Sequence, residues 1–584
     1  MGQWILFPPL IWPFLTFPVM NLTHAQTEAL HFHLEHIARL PHLQTLECFA
    51  HVDGDTTRMI LEQAAAFAYN TLAPLAASGD VAGCTLTGGR VALPTGTTAA
   101  YQTWCELGFP ALALPLEHDG LGFPRAVQSA VQEICDGANL AIGMLCINLR
   151  CAALAMLKNA TPALVERWVP GLISGTIAST IVISEPQAGS DVGRILTSAQ
   201  PLADGTWNLT GSKIWISYGD HDATDQILHL ILARVPNGEA GTRGLGLFAV
   251  PKQLDSGAAN GISVLRLEHK MGLHASPTCV LDLKNANGWL IGEAGRGLQA
   301  LFVMMNGMRL AVAVQGAAVA NVATLHAIAF ATERPQGGHP LSKPVMISEH
   351  ADVRRMLLEM TAHSELLRAL ALRTASFLDL GEALNGSDAQ HWQELGELLL
   401  PVAKTLNAET AFSVASQGIQ VLGGSGYTND YPLERLARDI RVASIYEGTS
   451  GIQALDFLKR KVLADKGATL RKLMDLIALE TSTSNNHFSA PLREVLTLLS
   501  VTVNQLIAEG STAEDGAYAL LQLTGCAVDG WNGHALFAAA TAGTDYQLRL
   551  RAALELHAAG LADSAKVWAG KALRSLPDYR FQAG

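Results

Sequence analysis

The chain has 584 residues, 49% of them apolar and 16% charged, with a formal net charge of -12. Its length calls for about three or four compact units with a sizeable interior, and its balance excludes a disordered or solvating chain. The acidic surplus, with no Lys/Arg stripe, argues against nucleic acid as a partner, because phosphate binding needs clustered cations.

Residues 1–20 are apolar but carry Pro8, Pro9, Pro13 and Pro18, too many for a continuous helix. The first Lys or Arg is Arg39, so a secretory signal would lack its positive n-region. An upstream extension before a start at Met20 is expected, with a membrane-associating tail as the alternative. No other segment approaches a spanning helix free of charge, so stable membrane insertion is not expected.

Residues 21–177 read as an α domain, helical as in Met59 to Phe67 and interrupted by a hairpin-like stretch at Gly88-Gly89. Over 178–294 short β-rich runs take over, such as Leu228 to Leu232 and Leu247 to Val250, with Asp204-Gly205 as a turn. A small antiparallel β domain is expected there. From 295 helical periodicity returns, with Val353, Met356, Leu357 and Met360 on one face as helix core. Residues 463–584 are again helical, broken by the polar stretch Thr481 to Asn486, and carry no chemical motif. The eight cysteines are dispersed, without a C-x-x-C pair or a His at metal-ligand spacing. Reduced core thiols in a cytosol-like compartment, and no metal, are the expectation.

Four stretches place polar, small or Trp residues where packing would prefer aliphatics. The apolar run Ile181-Val182-Ile183 ends in Ser184-Glu185-Pro186, followed by Ala188-Gly189-Ser190-Asp191. Backbone N–H groups and hydroxyls at such a sheet end suit a planar polar ligand, and an ordinary turn fits as well. In Gly211 to Gly219, Trp215 and Ser217 share one side of a strand, with Ile214 and Ile216 on the other. An indole beside a hydroxyl can pack a flat heteroaromatic ring, and a half-buried strand is the plain alternative. The glycine cluster Gly423-Gly424-Ser425-Gly426 after Gln420 allows close backbone approach to a pyrophosphate, or simply ends a helix. The G-x-G-x-x-G dinucleotide spacing is absent. Last, Tyr446-Glu447-Gly448-Thr449 isolates a carboxylate that suits a proton-abstracting base.

In order and spacing these segments resemble the acyl-CoA dehydrogenase family of flavoenzymes. The likeness runs from roughly Leu72 to Lys461 and takes in Glu268 to Gly272 and Met304 to Arg309. It implies a mainly α fold with a central β domain: an N-terminal helical domain, a middle antiparallel β domain, a four-helix bundle over 295–462 carrying the base, and an extra C-terminal helical domain. FAD is then expected between the middle domain and the bundle and across the interface of a cytoplasmic homodimer or dimer of dimers.

On this resemblance Glu447 is the catalytic base, taking a proton from Cα of an acyl-CoA while a hydride leaves Cβ for the flavin. The product is a trans-2-enoyl-CoA, and electron-transferring flavoprotein is the acceptor. A burial-raised pKa suits the base, and Arg309 nearby keeps it ionised. Ser184 and Ser217 are implied at the isoalloxazine edge, with Trp215 beside the ring and Ile181 and Ile183 also lining the cofactor. Arg334, Gln420 and Gly424 are implied at the pyrophosphate and nucleotide of the neighbouring subunit's FAD, and Thr449 at the adenosine part. Ser190, Asn306, Arg309, Tyr446 and Gly448 are implied on the substrate side.

Three departures stand out. Pro335 replaces the usual Phe after the pyrophosphate arginine, Gly451 stands where many members have Gln, and Asn306 where many have Asp. The last two, with the extra C-terminal domain, resemble the large branch that includes mycobacterial-type broad-range enzymes and 3-methylmercaptopropionyl-CoA dehydrogenase. That last activity, or a non-catalytic scaffold keeping the fold, is the alternative reading.

Overall fold

The computed structural model describes residues 19–541 and 543–577, so the extension expected over residues 1–20 lies, for residues 1–18, outside the described residues. The chain begins with α1 (Val19–His36), α2 (Leu40–Leu43), α3 (Gly54–Phe67) and α4 (Ala73–Ala82). A hairpin of β1 (Thr85–Thr87) and β2 (Arg90–Ala92) follows, then α5 (Thr97–Glu106), α6 (Arg125–Ala138), α7 (Leu140–Asn159) and α8 (Pro162–Ser174). Asp53 and Asn139 start α3 and α7 by accepting the N–H of Thr56 and Ile142. Gly88 and Gly89 both have positive φ, as a two-residue hairpin turn requires.

Leu140–Asn159 and Gly297–Glu333 are long and apolar enough to cross a membrane, with mean hydropathy 2.0 and 1.5. This corrects the expectation that nothing beyond the N-terminus approaches such a length. In both, 78% of the apolar window is buried in protein, which makes them core helices.

The central strands are β3 (Ile177–Val182), β4 (Ser198–Pro201), β5 (Trp207–Ser217), β6 (Gln226–Arg234), β7 (Leu245–Pro251), β8 (Ile262–Leu267) and β9 (Thr278–Ile291). Because β6 pairs with both β4 and β7, the order β6-β4-β5-β9-β7 closes on itself, with β3 added along β6 and β8 along β9. Most pairings are antiparallel, as expected, but β3 runs parallel to β6 from Ile177↔Gln226 to Val182↔Ile231. The β4–β5 hairpin lies between those two strands in the chain and returns it in its original direction.

The bundle is α9 (Gly297–Glu333), α10 (Ala351–Ala383) and α11 (Gly386–Leu422), with α12 (Leu433–Ile440) and α13 (Ser450–Asp456). Gly316 lets α11 approach α9, since a Cβ there would stand 2.4 Å from the Asn407 carbonyl oxygen. Asn407 Nδ2 in turn donates to Ala313 O at 2.7 Å and to Leu367 O at 3.0 Å, locking three helices in register. Four more helices follow, α14 (Ala468–Thr481), α15 (Ser489–Glu509), α16 (Ala517–Ala539) and α17 (Asp545–Ala572). One apolar cluster joins Leu366, Phe377 and Leu399 of the bundle to Leu520 and Trp531 of α16 and Leu554 of α17. The C-terminal helices are therefore part of a shared core.

Candidate active site

Glu447 sits in a turn where two successive residues are left-handed, Glu447 at φ 52° and Gly448 at φ 90°. A glutamate in that region is strained and has to be held by its surroundings. Three side chains hold it. Lys404 of α11, fully buried, donates from Nζ to Gly448 O at 2.6 Å. Gln453 Nε2 donates to Glu447 O at 2.9 Å. Thr449 caps α13 by accepting the Ile452 N–H at 3.3 Å. Gly448 is required twice over, because a Cβ there would also come within 2.6 Å of Gln453 Nε2.

Burial pushes the Glu447 carboxyl above its usual range, while Lys404 and then Arg309 pull it back. Burial likewise lowers the Lys404 ammonium to about 8, against the attraction of Glu447. Arg309 is 6% exposed and is tied by Nη1 to Asp456 Oδ2 at 2.8 Å, leaving its Nε without a partner among the described residues. The result is a carboxylate poised between burial and two cations. Tyr446 turns the other way, its hydroxyl donating to Gln315 Oε1 and lying 3.6 Å from Met144 Sδ of α7. Burial raises the pKa of the Cys151 thiol on α7, and the Glu447 carboxylate adds to that rise. Among the described residues the Glu447 N–H has no acceptor.

A second group forms at the end of β3. Ile214 N–H donates to Ser184 O at 2.9 Å, and Lys213 Nζ donates to Ile183 O at 2.9 Å, so β5 is fastened across the end of β3, which also carries Ile181. Lys213 also pairs with Glu185 at 2.9 Å, both buried. The expected strand alternation fails here. Register with β9 slips between Lys213 and Ile216, Trp215 takes φ 64°, and Lys213 points inward instead of Ile214. The bulge leaves the Trp215 indole 58% exposed. Among the described residues the Ser184 and Ser217 hydroxyls have no hydrogen-bond partner. An exposed indole between two unengaged hydroxyls fits the edge and face of a flavin ring.

Arg334, Gln420 and Gly424 lie elsewhere, at the C-terminal ends of α9 and α11; Phe330 of α9 and Tyr431, beyond α11, make an edge-on ring contact. Gln420 is sixteen residues beyond Lys404 on one helix, about 24 Å along the axis. All three are exposed, and nothing lies within 4 Å of a Cβ built on Gly423 or Gly424. This open, glycine-lined end fits a nucleotide approached closely by backbone. Ser190 is exposed on the loop after β3, and Asn306 is partly exposed one turn before Arg309. Sequence reasoning missed Lys404, Gln453, Gln315 and the Lys213–Glu185 pair. Only the charges inside apolar runs, Lys404 after Pro401-Val402-Ala403 and Lys213 before Ile214, signalled them.

The sequence matches the acyl-CoA dehydrogenase N-terminal domain over residues 54–176, the middle domain over 180–286 and the C-terminal domain over 295–462. It is 37% identical to 3-methylmercaptopropionyl-CoA dehydrogenase of Ruegeria pomeroyi, over 86% of this chain and 88% of that protein. It is 35% identical to a broad-specificity linear acyl-CoA dehydrogenase of Mycobacterium tuberculosis, over 72% of each chain. A solved acyl-CoA dehydrogenase complexed with FAD, from Bacillus anthracis, shares the fold with TM-score 0.73 at 18% identity, over 89% of this chain and 88% of that one. The chain belongs to the acyl-CoA dehydrogenase family and is an FAD-dependent oxidoreductase.

Proposed function

We propose that the chain removes hydrogen across Cα and Cβ of an acyl-CoA thioester, with Glu447 as the base and a trans-2-enoyl-CoA as product. The observation that carries this reading is the Glu447 turn: a strained, partly exposed carboxylate whose pKa is raised by burial and checked by Lys404 and Arg309. Such a group, held between burial and two cations, is suited to accept a Cα proton. The unengaged Glu447 N–H is a donor for the thioester oxygen as negative charge develops there, which acidifies Cα. Lys404 and Gln453 hold the two carbonyls of the turn so that carboxylate and N–H keep their relative positions.

FAD, when bound, supplies the two-electron acceptor for the hydrogen lost from Cβ. Ser184, Trp215 and Ser217 would hold its ring system, with Ile181 and Ile183 beneath. Asn306 and Ser190 stand on the substrate side. Arg334, Gln420 and Gly424 are too far along their helices to serve the same cofactor as their own Lys404 and Glu447. That separation supports a homodimer or dimer of dimers in which they reach the neighbour's FAD. Electron-transferring flavoprotein is the proposed acceptor, residues 21–177, 178–294, 295–462 and 463–584 the proposed units, and the cytoplasm the proposed location. The relative from Ruegeria pomeroyi, matched nearly end to end, favours 3-methylmercaptopropionyl-CoA as a second substrate reading. Purified protein should be yellow and be bleached anaerobically by acyl-CoA, with enoyl-CoA recovered. A flavin that no thioester from short to long, nor the methylthio compound, can bleach would contradict the reading.

A further inference from the structure

We propose that Asp456 is a positioning residue for the dehydrogenation: by engaging Arg309 it keeps that guanidinium from closing on the Glu447 carboxylate, and so leaves the base free to take a proton. The inference rests on the reading of Glu447 as the base and adds what keeps it available.

The starting observation is an ion pair that is not made. Lys404 and Arg309 both attract Glu447, yet among the described residues its carboxylate forms no salt bridge and no hydrogen bond. Each cation is engaged elsewhere. Lys404 Nζ donates to Gly448 O at 2.6 Å, and Arg309 Nη1 to Asp456 Oδ2 at 2.8 Å. Both members of the second pair are buried, their side chains 8% and 9% exposed. A guanidinium cannot shed its charge, and a buried one deprived of its carboxylate is costly unless it finds another. Glu447 is that other carboxylate, and Arg309 Nε has no partner among the described residues to hold it back.

The place of Asp456 follows from the helix that starts at the base turn. Thr449 caps α13, Gln453 Nε2 holds Glu447 O at 2.9 Å, and Asp456 stands three residues further on. Beyond the end of α13, Arg460 Nη1 lies 3.4 Å from Asp456 Oδ1, with its guanidinium 5.1 Å from the Phe302 ring of α9. Behind α13, Ala454, Phe457 and Leu458 belong to the same apolar cluster as Leu520 and Leu521 of α16. Asp456 is thus fixed from both sides. The other titratable groups around the base are Cys151 of α7 and the Tyr446 hydroxyl. Glu409 bears on Lys404 and accepts from Tyr518 of α16, while Lys459 is paired with Glu514 at 2.6 Å. Among the described residues only Asp456 pairs with Arg309.

The test follows anaerobic flavin reduction against pH, with one acyl-CoA that bleaches the wild type, in holoenzymes of Asp456→Asn and of Asp456→Asn with Arg309→Met. In Asp456→Asn the freed guanidinium closes on Glu447. The acid limb should then move to lower pH and the plateau rate fall by about tenfold or more, since a tied carboxylate is the weaker base. Adding Arg309→Met should cancel that displacement of the limb, which a merely structural role of Asp456 would not predict. Asp456→Glu, which keeps the pair, should keep the wild-type limb, and Asp456→Ser carries the comparison if Asp456→Asn does not fold. A limb that stays in place or moves to higher pH in the neutral variants would overturn the role of Asp456 and leave Glu447 as the base. So would a displacement that persists in the double variant, or one as large in Asp456→Glu. Reduction by Glu447→Gln at the wild-type rate would overturn both.

Discussion

At the scale of single residues, the chemistry turns on Glu447 and what surrounds it. Lys404 and Arg309 both lower its pKa against the rise that burial imposes. Glu447 acts as a base only when ionised, so flavin reduction should fall on the acid side as pH drops through its pKa. Removing the Lys404 charge takes away the larger of the two attractions that hold that pKa down, so it rises. In Lys404→Met the acid limb of the reduction rate should therefore move to higher pH, while a lysine that merely fills space would leave it in place. The Glu447 turn was legible in the sequence, because Tyr446-Glu447-Gly448-Thr449 is contiguous and its glycine and threonine announce a turn and a helix cap. Lys404 was not legible. It lies forty-three residues upstream in an apolar helical run, and only the packing of α11 under the turn brings its Nζ to Gly448.

At the scale of elements, the end of β3 and the bulge in β5 depend on the Lys213–Glu185 pair. Glu185 accepts from Lys213, Leu196 and Thr197, which hold its carboxyl down at about 2. Because its folded pKa is depressed, its stabilising effect is complete above the ordinary value of 4.5 and is lost as pH falls through about 2. Burial lowers the Lys213 ammonium to about 8, so the intact pair contributes little net stability, yet removing one partner strands a buried charge. Lys213→Met should lose about 3–5 kcal/mol in urea unfolding, and adding Glu185→Gln should recover part of it. Equal loss in the single and double variants would refute the pairing argument. The sequence predicted a strand here and predicted its alternation wrongly. A bulge is invisible to period-two counting, since the extra residue is fixed by the partner strand, here β9 between Lys213 and Ile216.

At the scale of the whole molecule, a buried polar cluster ties four helices together. Arg368 of α10, fully buried, reaches Glu133 of α6 at 2.6 Å and Glu365 at 2.8 Å. Tyr546 of α17 donates to Glu365 Oε2 at 3.0 Å, and His33 of α1 lies 3.4 Å from the same oxygen. With both carboxylates deprived of their arginine, Arg368→Met should cost about 3–5 kcal/mol. It should also loosen α17 first, seen as faster amide exchange there than in β6. Uniform exchange across the chain would argue against that coupling. The helical character of residues 463–584 was legible from periodicity. Their role as one wall of a shared core was not, because the match between Phe377 and Trp531 is made only in three dimensions, with ring centroids 6.0 Å apart. The order of helical, β and helical segments followed from composition and period, and the closure of the sheet through β6 did not.

The most direct test of the account is anaerobic mixing of Glu447→Gln holoenzyme with an acyl-CoA that bleaches the wild type. The variant should remain yellow, bind the thioester with a perturbed flavin spectrum, and show flavin reduction slowed by several orders of magnitude. Reduction at the wild-type rate would contradict the assignment of Glu447 as the base.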